Sequence, residues 1–463
     1  MRKRALLACS GIGIVWLLAV PFAQPQDFEL PWRRPTARAA SLLANAGGDG
    51  QTPAALERFF SREDMKKWKG YQHKKLWLHL SGLASVILFY AFFILLGLNR
   101  TLKRLALAAA QACYASEFLR RLGARFPRLG RLARLPERIY GDPEGLVVLS
   151  YTLVFVFILH LVFFPQSFLR TFWFEHRYGL STYSLGLWLL DWAKGLATGT
   201  AVLGCMVFGI YGLLRRVGDK WWILLWAGLS AGVAGYAYVA PYRSHIYNDF
   251  RPLEPGELRD RLEELARRQE VPVQEILVVD ASRRTRKVNA YFSGSGPSQR
   301  IVLYDTLLDQ FTPGEITMIL AHEIAHRKES GKVLSYVVFS ITAFGILGLA
   351  GRTLKAGARL PRLHYESSRD VAGLPVLFLT FFLLFQALKP ANSVWQRARE
   401  LQADLESLEM VCDPEAFIRA HVKLAALNYS DVDPHPLIVW LFYSHPPFVE
   451  RLRLAEAAGC TLE

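Results

Sequence analysis

Six long apolar stretches constrain the fold of this chain more than any other feature of its sequence. Each is 17 to 23 residues long and almost free of charge, and a helix needs about 20 apolar residues to cross a hydrocarbon core. The mean hydropathy of +0.18 agrees with this interpretation. We therefore predict a mainly α, polytopic membrane helical bundle. Its predicted spans are 76–98, 146–164, 196–214, 221–240, 334–350 and 371–388.

The positive charge of the chain is concentrated between these stretches. Segment 100–138 contains ten arginines and lysines against two glutamates, and the loops 215–220 and 352–369 are also basic. Because cytoplasmic loops are enriched in arginine and lysine, we place these three segments on the cytoplasmic side. The remaining extramembrane segments then lie outside, provided that the stretch near Leu105 rests on the membrane surface and does not cross it. The net charge of the chain is +15, but its sequence contains no nucleic-acid-binding motif. We therefore predict that its partner is the lipid bilayer and that it does not bind nucleic acid.

The segments between the spans define the predicted domain organisation. Residues 1–26 have a basic start and an apolar run, which is the layout of a signal peptide or an uncleaved anchor helix. The five cysteines are scattered and without metal-ligand spacing, so we interpret them as structural. The predicted divisions are 1–26, an extramembrane segment 27–75 with a helix over 53–67, four spans in 76–241, an α/β unit in 242–332, a transmembrane hairpin in 333–389 and a C-terminal segment in 390–463.

The α/β unit contains a helix with a strong start signal. Its pattern predicts a helix over 257–269 and strands over 275–279, 288–293 and 300–304. Segment 312–328, TPGEITMILAHEIAHRK, follows. Thr312 is a capping residue, Pro313 suits the first helical turn, and Glu315 can return a hydrogen bond to the cap. A helix is therefore predicted from residue 312 to residue 328.

This helix carries a metal-binding pattern. His322 and His326 lie one turn apart on one face, so their imidazoles can converge on one ion, and Glu323 lies beside them. Imidazole pairs on a rigid helix suit zinc, and the carboxylate can take a proton from water on the ion, as in the H-E-x-x-H zinc hydrolases. The alternative is an ordinary amphipathic helix with polar residues facing solvent.

The C-terminal segment supplies a candidate third ligand. Catalytic zinc has three protein ligands and one open position. Glu400 and Asp404 lie one helical turn apart in RARELQAD. We predict that Glu400 binds zinc and that Asp404 accepts the free ring N–H of a ligating histidine. The alternative is a solvated acidic helix face.

Several further segments after about residue 68 are informative in their order along the chain. They are EHRYGLS at 175–181, YNDFRPL at 247–253, RIVLYD at 300–305, HEIAH at 322–326, RARELQAD at 397–404 and SHPPFVER at 444–451. These segments and their order resemble the integral-membrane zinc peptidases that include the type 1 CAAX prenyl protease and its bacterial relatives. A mild departure is Gln396 before Arg397, where that family usually has Ser-Arg.

The resemblance implies a zincin-like catalytic unit with one Zn²⁺ per chain, held by the three ligands above, and adds further site residues. Asn289, Ala290 and Tyr291 would lie on an edge strand that pairs with an extended peptide substrate. His445 would steady the oxyanion, and Arg451 would contact the substrate. The loop charges favour a bacterial inner membrane protein whose active site faces the periplasm, which makes prenylated substrates doubtful.

The main functional hypothesis is a zinc-dependent membrane endopeptidase that acts on peptide or protein substrates. The alternative is a zinc-bearing membrane chaperone or assembly factor that cleaves nothing. A transporter is disfavoured, because only Asp191 and Lys194, beside the third span, hint at ionisable residues in the membrane. The sequence leaves the oligomeric state and the natural substrate open.

Overall fold

The computed structural model describes residues 56–115, 125, 144–244, 247–294, 299–328 and 332–458. The predicted signal or anchor and most of the basic segment 100–138 lie outside the described residues. The described chain is mostly helical, as predicted. Its helices are α1 (Arg62–Leu95), α2 (Leu98–Ala115), α3 (Glu144–Phe168), α4 (Phe174–Arg177), α5 (Leu185–Val217), α6 (Trp221–Ser244), α7 (Glu257–Arg268), α8 (Asp305–Leu308), α9 (Pro313–Lys328), α10 (Lys332–Gly357), α11 (Leu374–Val411), α12 (Pro414–Leu427), α13 (Pro436–Phe442) and α14 (Phe448–Ala457).

Five helical stretches in the described residues are long and apolar enough to cross a membrane. The third stretch covers the third predicted span and the first part of the fourth. These two spans belong to α5 and α6, which a 3₁₀ turn at Gly218–Lys220 separates. Gly218 ends α5 with a φ of 60°, a conformation that glycine adopts without steric cost. The five stretches are Arg62–Leu95, Glu144–Arg177, Leu185–Gly232, Leu334–Gly357 and Val371–Val411.

Helix α1, the first of these helices, begins later than the predicted helix over 53–67 and extends beyond its predicted end. It starts at Arg62 because Ser61 Oγ accepts a hydrogen bond from Asp64 N at 3.1 Å, which is an N-cap. Its first turns lie against the C-terminal region, where Trp68 stacks on Tyr429 with ring centroids 6.4 Å apart. The predicted first span is therefore the second part of a longer helix, which ends at Leu95.

The three predicted cytoplasmic segments meet at one end of the bundle. Lys103 Nζ lies 2.9 Å from Asp370 Oδ1. Asn99 donates hydrogen bonds of 2.9 Å to two carbonyls in 363–372, and Lys355 forms an ion pair with Asp219. The structure therefore places the start of segment 100–138, the loop after α5 and the loop after α10 on the same side.

A small mixed sheet forms the other structural unit. Its strands are β1 (Phe250–Pro252), β2 (Glu275–Val279), β3 (Ala290–Ser293) and β4 (Arg300–Tyr304), in the order β1-β2-β4-β3. Strands β2 and β4 are parallel, and the outer pairs are antiparallel. Strand β3 begins two residues later than the predicted strand over 288–293. Strand β1 was not predicted, because its sequence has no alternating apolar pattern. Strand β3 is an edge of the sheet, as the resemblance implied.

The predicted cap of α9 forms and is buried. Thr312 N donates to Glu315 Oε2 at 2.8 Å, and Glu315 N donates to Thr312 Oγ1 at 3.4 Å. Glu315 is 1% exposed, and it also accepts a hydrogen bond of 2.7 Å from Lys423 of α12. Burial alone would raise the pKa of Glu315, but the hydrogen bonds from Lys423 and Thr312 outweigh it and hold the pKa below its usual value. The cap thus also links α9 to α12.

We expect Glu315→Gln to destabilise the protein at neutral pH and to flatten its acid denaturation. A folded-state pKa below the unfolded value contributes stability above the unfolded pKa of about 4.3, and that stability is lost as the pH falls through the folded pKa. The loss at pH 7 should be about 1–2 kcal/mol. Thermal unfolding in detergent between pH 3 and pH 7 measures both effects.

The control is Glu415→Gln, which removes the exposed partner of Arg419 and should change the free energy of unfolding by less than about 1 kcal/mol. An equal loss in both variants would show that the buried pair contributes no more than a surface pair.

Candidate metal centre

Three side chains converge at the centre of the molecule as the sequence predicted. His322 Nε2 and His326 Nε2 on α9 are 3.1 Å apart. Glu400 on α11 lies 3.3 Å from the first nitrogen through Oε2 and 3.2 Å from the second through Oε1. Within the part of the chain that the structure describes, these three residues are the one group that could hold a metal ion.

The spacing of these atoms fits zinc. Ligand atoms placed tetrahedrally about 2.0–2.1 Å from a zinc ion are about 3.3 Å apart, close to the distances between the three side chains. The electrostatics agree with this geometry. Burial would lower the pKa of His322, but Asp404 and Glu400 raise it to about 10, so the site favours positive charge at this position. A divalent cation would replace the proton.

One continuous helix brings Glu400 to the histidines. Helix α11 runs from Leu374 to Val411 without a break, with Pro390 inside it. The predicted boundary between a membrane hairpin and a C-terminal segment, at 389/390, therefore falls within this helix. Met318 of α9 is buried in one cluster with Leu405 and Leu408 of α11. This apolar contact fixes the carboxylate relative to the histidine helix.

Asp404 lies behind the first histidine. Its Oδ1 is 2.9 Å from His322 Nδ1, and the side chain is fully buried. Arg451 Nη1 lies 3.2 Å from the same oxygen, and Arg451 Nη2 lies 3.3 Å from Glu400 Oε2. The Arg451 side chain is 11% exposed. Arg451 therefore lies against both carboxylates and can position them, and its contact with substrate stays a prediction.

His421 is a part of the site that sequence reasoning missed. Its Nδ1 lies 2.8 Å from the Phe417 carbonyl, so this nitrogen carries the proton, and Nε2 accepts a hydrogen bond of 2.6 Å from Arg451. Burial, together with Arg451, lowers the pKa of His421 to about 3, so the ring is neutral and orients the guanidinium. A single histidine on a helix gives no spacing signal in the sequence.

Glu323 lies next to the ligands on α9 and is half-buried. Burial raises its pKa, while the neighbouring histidines lower it less, so the net pKa lies above the ordinary value. A raised pKa suits a carboxylate that takes up a proton and releases it again.

His445 approaches the ligands from the C-terminal side. Its Nε2 lies 3.4 Å from Glu400 Oε2, and its side chain is 64% exposed. Arg397 of α11 holds the preceding segment, because its Nη1 donates to the Val439 and Tyr443 carbonyls. No pattern in the sequence predicts this role of Arg397. An exposed ring beside the ligands can reach a bound substrate.

The edge strand is attached to the metal-binding helix. Arg327, the residue after His326, donates to the Gly294 carbonyl at 2.7 Å and lies over the Phe292 ring at 5.4 Å. Asn289 precedes this strand, and Ala290 and Tyr291 form its first half. In the sheet, Tyr291 is paired on one side with Val302 of β4. The predicted substrate strand is therefore coupled to the metal centre through Arg327.

The fold and the site define a membrane metallopeptidase, and three comparisons agree. Residues 45–243 match the family described as CAAX prenyl protease N-terminal, five membrane helices, and residues 252–458 match peptidase family M48. The uncharacterized metalloprotease YhfN of Bacillus subtilis is 31% identical over 66% of this chain and 73% of its own length. The CAAX prenyl protease 1 homolog of Arabidopsis thaliana is 28% identical over 87% of this chain and 89% of its own length.

The crystal structure of S. mikatae Ste24p has the same fold, with a TM-score of 0.72 over 92% of this chain and 99% of that chain, at 23% identity. The chain belongs to peptidase family M48 and is an integral-membrane metalloendopeptidase. The resemblance inferred from its motifs is confirmed.

We expect Asp404→Asn to weaken zinc binding about tenfold or more, because a partner of a ligating histidine typically contributes this much to metal affinity. Competition with a chromophoric chelator in detergent measures the dissociation constant. The control is Glu409→Gln, an exposed position on the same helix, which should leave affinity unchanged. Equal affinity in Asp404→Asn and the parent would rule out the role of Asp404.

Proposed function

We propose that the protein is a zinc-dependent endopeptidase that hydrolyses peptide bonds at the membrane, with one zinc ion held by His322, His326 and Glu400. The triangle that these three side chains form, at distances that suit tetrahedral zinc, is the observation that supports this proposal most strongly. Zinc in this site would polarise the substrate carbonyl and increase the acidity of water.

The side chains around the triangle then have distinct tasks. Glu323 takes the proton of the attacking water and passes it to the leaving amine. His445 donates a hydrogen bond to the oxyanion, and such a donor contributes about 3 kcal/mol to catalysis. Asp404 fixes the ring of His322. An extended substrate pairs with the free edge of β3 at Asn289, Ala290 and Tyr291.

The substrate is a peptide or protein. The names of the relatives constrain its identity less than they constrain the type of reaction. Several relatives are named CAAX prenyl proteases, while YhfN is named only as a metalloprotease. The positions of the basic segments support an active site on the periplasmic face of a bacterial inner membrane. Prenylated tails would not be the expected substrates on that face.

Glu323→Gln should reduce cleavage of casein by about 10²–10⁴-fold in a zinc-loaded preparation, because general acid–base catalysis contributes that much. Zinc content is measured alongside turnover, and Glu409→Gln serves as the control that loses an exposed carboxylate from α11. Retained cleavage would contradict the proposed mechanism.

The same variant separates peptidase from chaperone function. A chaperone or assembly factor would keep its cellular function in Glu323→Gln, whereas a peptidase would lose it.

For the orientation, we expect a reporter phosphatase fused after Glu463 to be active in the periplasm. The three basic segments meet at one end of the bundle, and the positive-inside rule assigns that end to the cytoplasm. A cytoplasmic C-terminus would reverse the topology without affecting the chemistry of the site.

A further inference from the structure

Strand β3 presents an edge of the sheet beside the metal centre. It ends the strand order β1-β2-β4-β3. Phe292 of β3 packs against the buried cluster that contains Ile324 of α9, two residues before His326. A sheet edge carries a row of backbone N–H and C=O groups that can pair with another chain. The number of these groups that are open limits how long a stretch of substrate the edge can bind.

The backbone groups along β3 and the residues before it alternate between two sides. Tyr304 N donates to the Asn289 carbonyl at 3.1 Å, and Thr306 Oγ1 donates to the Lys287 carbonyl at 2.8 Å. These odd-numbered residues therefore direct their backbone groups toward β4 and the residues that follow it. Because successive residues of a strand direct their backbone groups to opposite sides, the even-numbered residues of segment 284–294 face the edge.

The first part of this edge is already paired with segment 180–182, which follows α4. Thr182 N donates to the Arg284 carbonyl at 3.2 Å, and Arg286 N donates to the Leu180 carbonyl at 3.0 Å. The two segments thus form an isolated antiparallel bridge. No substrate can pair with the edge at these positions while the bridge is in place.

Arg284 also attaches this occupied part of the edge to the membrane helices. Its Nε lies 2.9 Å from Asp191 Oδ2 and 3.1 Å from Tyr183 Oη, and Asp191 belongs to α5. The bridge to segment 180–182 is therefore supported by an ion pair as well as by backbone hydrogen bonds. The contact gives Asp191 a structural role, which counts against the transporter hypothesis.

Asn428 occupies the next position along the edge. Its Oδ1 accepts a hydrogen bond from Val288 N at 3.3 Å, and its Nδ2 donates to the Val288 carbonyl at 3.5 Å. A side-chain amide offers an acceptor and donors like those of a peptide group. The Asn428 side chain therefore takes the place that a paired strand would have opposite Val288. Asn428 directly follows α12, so this contact joins the C-terminal region to the edge.

The far end of the edge is occupied by Arg327, whose Nη2 donates to the Gly294 carbonyl at 2.7 Å. Between the two occupied ends, only Ala290 and Phe292 face outward. Ala290 N donates to Asn289 Oδ1 at 3.0 Å, and Asn289 is exposed. Among the described residues, the carbonyls of Ala290 and Phe292 and the N–H of Phe292 have no hydrogen-bond partner. The open part of the edge is therefore two positions long.

We propose that Asn428 is a specificity-determining residue that ends the substrate-binding edge at Val288, so that a substrate pairs only with Ala290 and Phe292. This inference rests on the proposed peptidase function. Arg327 closes the other end. The two open positions are about 7 Å apart, so the enzyme would recognise the backbone of about three extended substrate residues. Longer extended stretches would gain no further backbone hydrogen bonds.

The number of open positions predicts how a substrate responds to backbone N-methylation. Substrate N–H groups that donate to the carbonyls of Ala290 and Phe292 lie two residues apart, whether the substrate runs parallel or antiparallel to β3. An N-methyl group removes one of these donors. Without the Asn428 side chain, the Val288 carbonyl becomes a third acceptor, and a third substrate N–H, two residues further along, can reach it.

The test uses a fluorescent casein fragment that the wild type cleaves, and copies of it that each carry one N-methylated backbone nitrogen. Binding is measured by fluorescence anisotropy with zinc-loaded, full-length Glu323→Gln in nanodiscs, so that cleavage does not interfere. We expect N-methylation to weaken binding about fivefold or more at two positions that lie two residues apart. Adding Asn428→Ala should create a third sensitive position, two residues beyond one of them.

Two further variants control for the loss of the side chain. Asn428→Asp fills the same space and still accepts a hydrogen bond from Val288 N, so it should keep two sensitive positions. Asn392→Ala removes an exposed asparagine of α11 and should also keep two. The φ of Asn428 is −98°, which alanine adopts without strain, and the melting temperature of each variant reports its folding.

The Glu323→Gln parent tests the inference even without the Asn428 variants. Three or more sensitive positions at this spacing in the parent, or no position-dependent effect, would contradict the inference. An unchanged pattern of two positions in folded Asn428→Ala would contradict it as well, and so would a loss of all peptide binding in that variant, since Asn428 would then bind the substrate directly.

The failure of this inference can be distinguished from the failure of the proposed function. Cleavage of casein by the wild type together with one of the contradicting patterns would leave the peptidase function intact and overturn the inference alone. A zinc-loaded wild type that cleaves no casein would contradict the peptidase function and, with it, the inference.

Discussion

The packing of α9 against α11 is the contact on which the metal centre depends. The histidines and Glu400 lie on different helices, separated in sequence by the membrane hairpin that α10 and the first half of α11 form. At 1.5 Å per residue, the 38 residues of α11 span about 57 Å, so one rigid element extends from the membrane to the ligand position. Buried Met318, Leu405 and Leu408 hold the two helices together. A small displacement of either helix would separate the ligand atoms.

The charged side chains around this contact are paired with one another, so that each charge is stabilised by a neighbour of opposite sign or by a hydrogen bond. Asp404 is fully buried, and its neighbours are His322 and Arg451. Arg451 in turn lies against Glu400 and donates to the neutral ring of His421. A buried carboxylate is costly unless it is paired, and here the pairing orients a ligand at the same time. The site therefore combines local stability with fixed donor directions.

Much of the fold could be predicted because its signals are local. The apolar stretches are long enough to identify spans without knowledge of their neighbours, and the Thr312 to Glu315 cap is a contact between residues three apart. Strands β2 and β4 have the predicted bounds, since both are short apolar runs. The length of α11 was not predictable, because Pro390 normally disfavours a helix interior. Pro390 is buried in the folded protein, an environment that the local sequence does not reveal.

The sequence by itself determined the class of chemistry, since the spacing of His322, Glu323 and His326 fixes their common face on any helix. It also identified Glu400 and Asp404 through the same helical periodicity. The tertiary structure alone decided that His421 orients Arg451 and that Arg397 supports the segment before His445. These contacts join residues that are far apart in the chain. They form only when the helices pack, so no periodic pattern in the sequence predicts them.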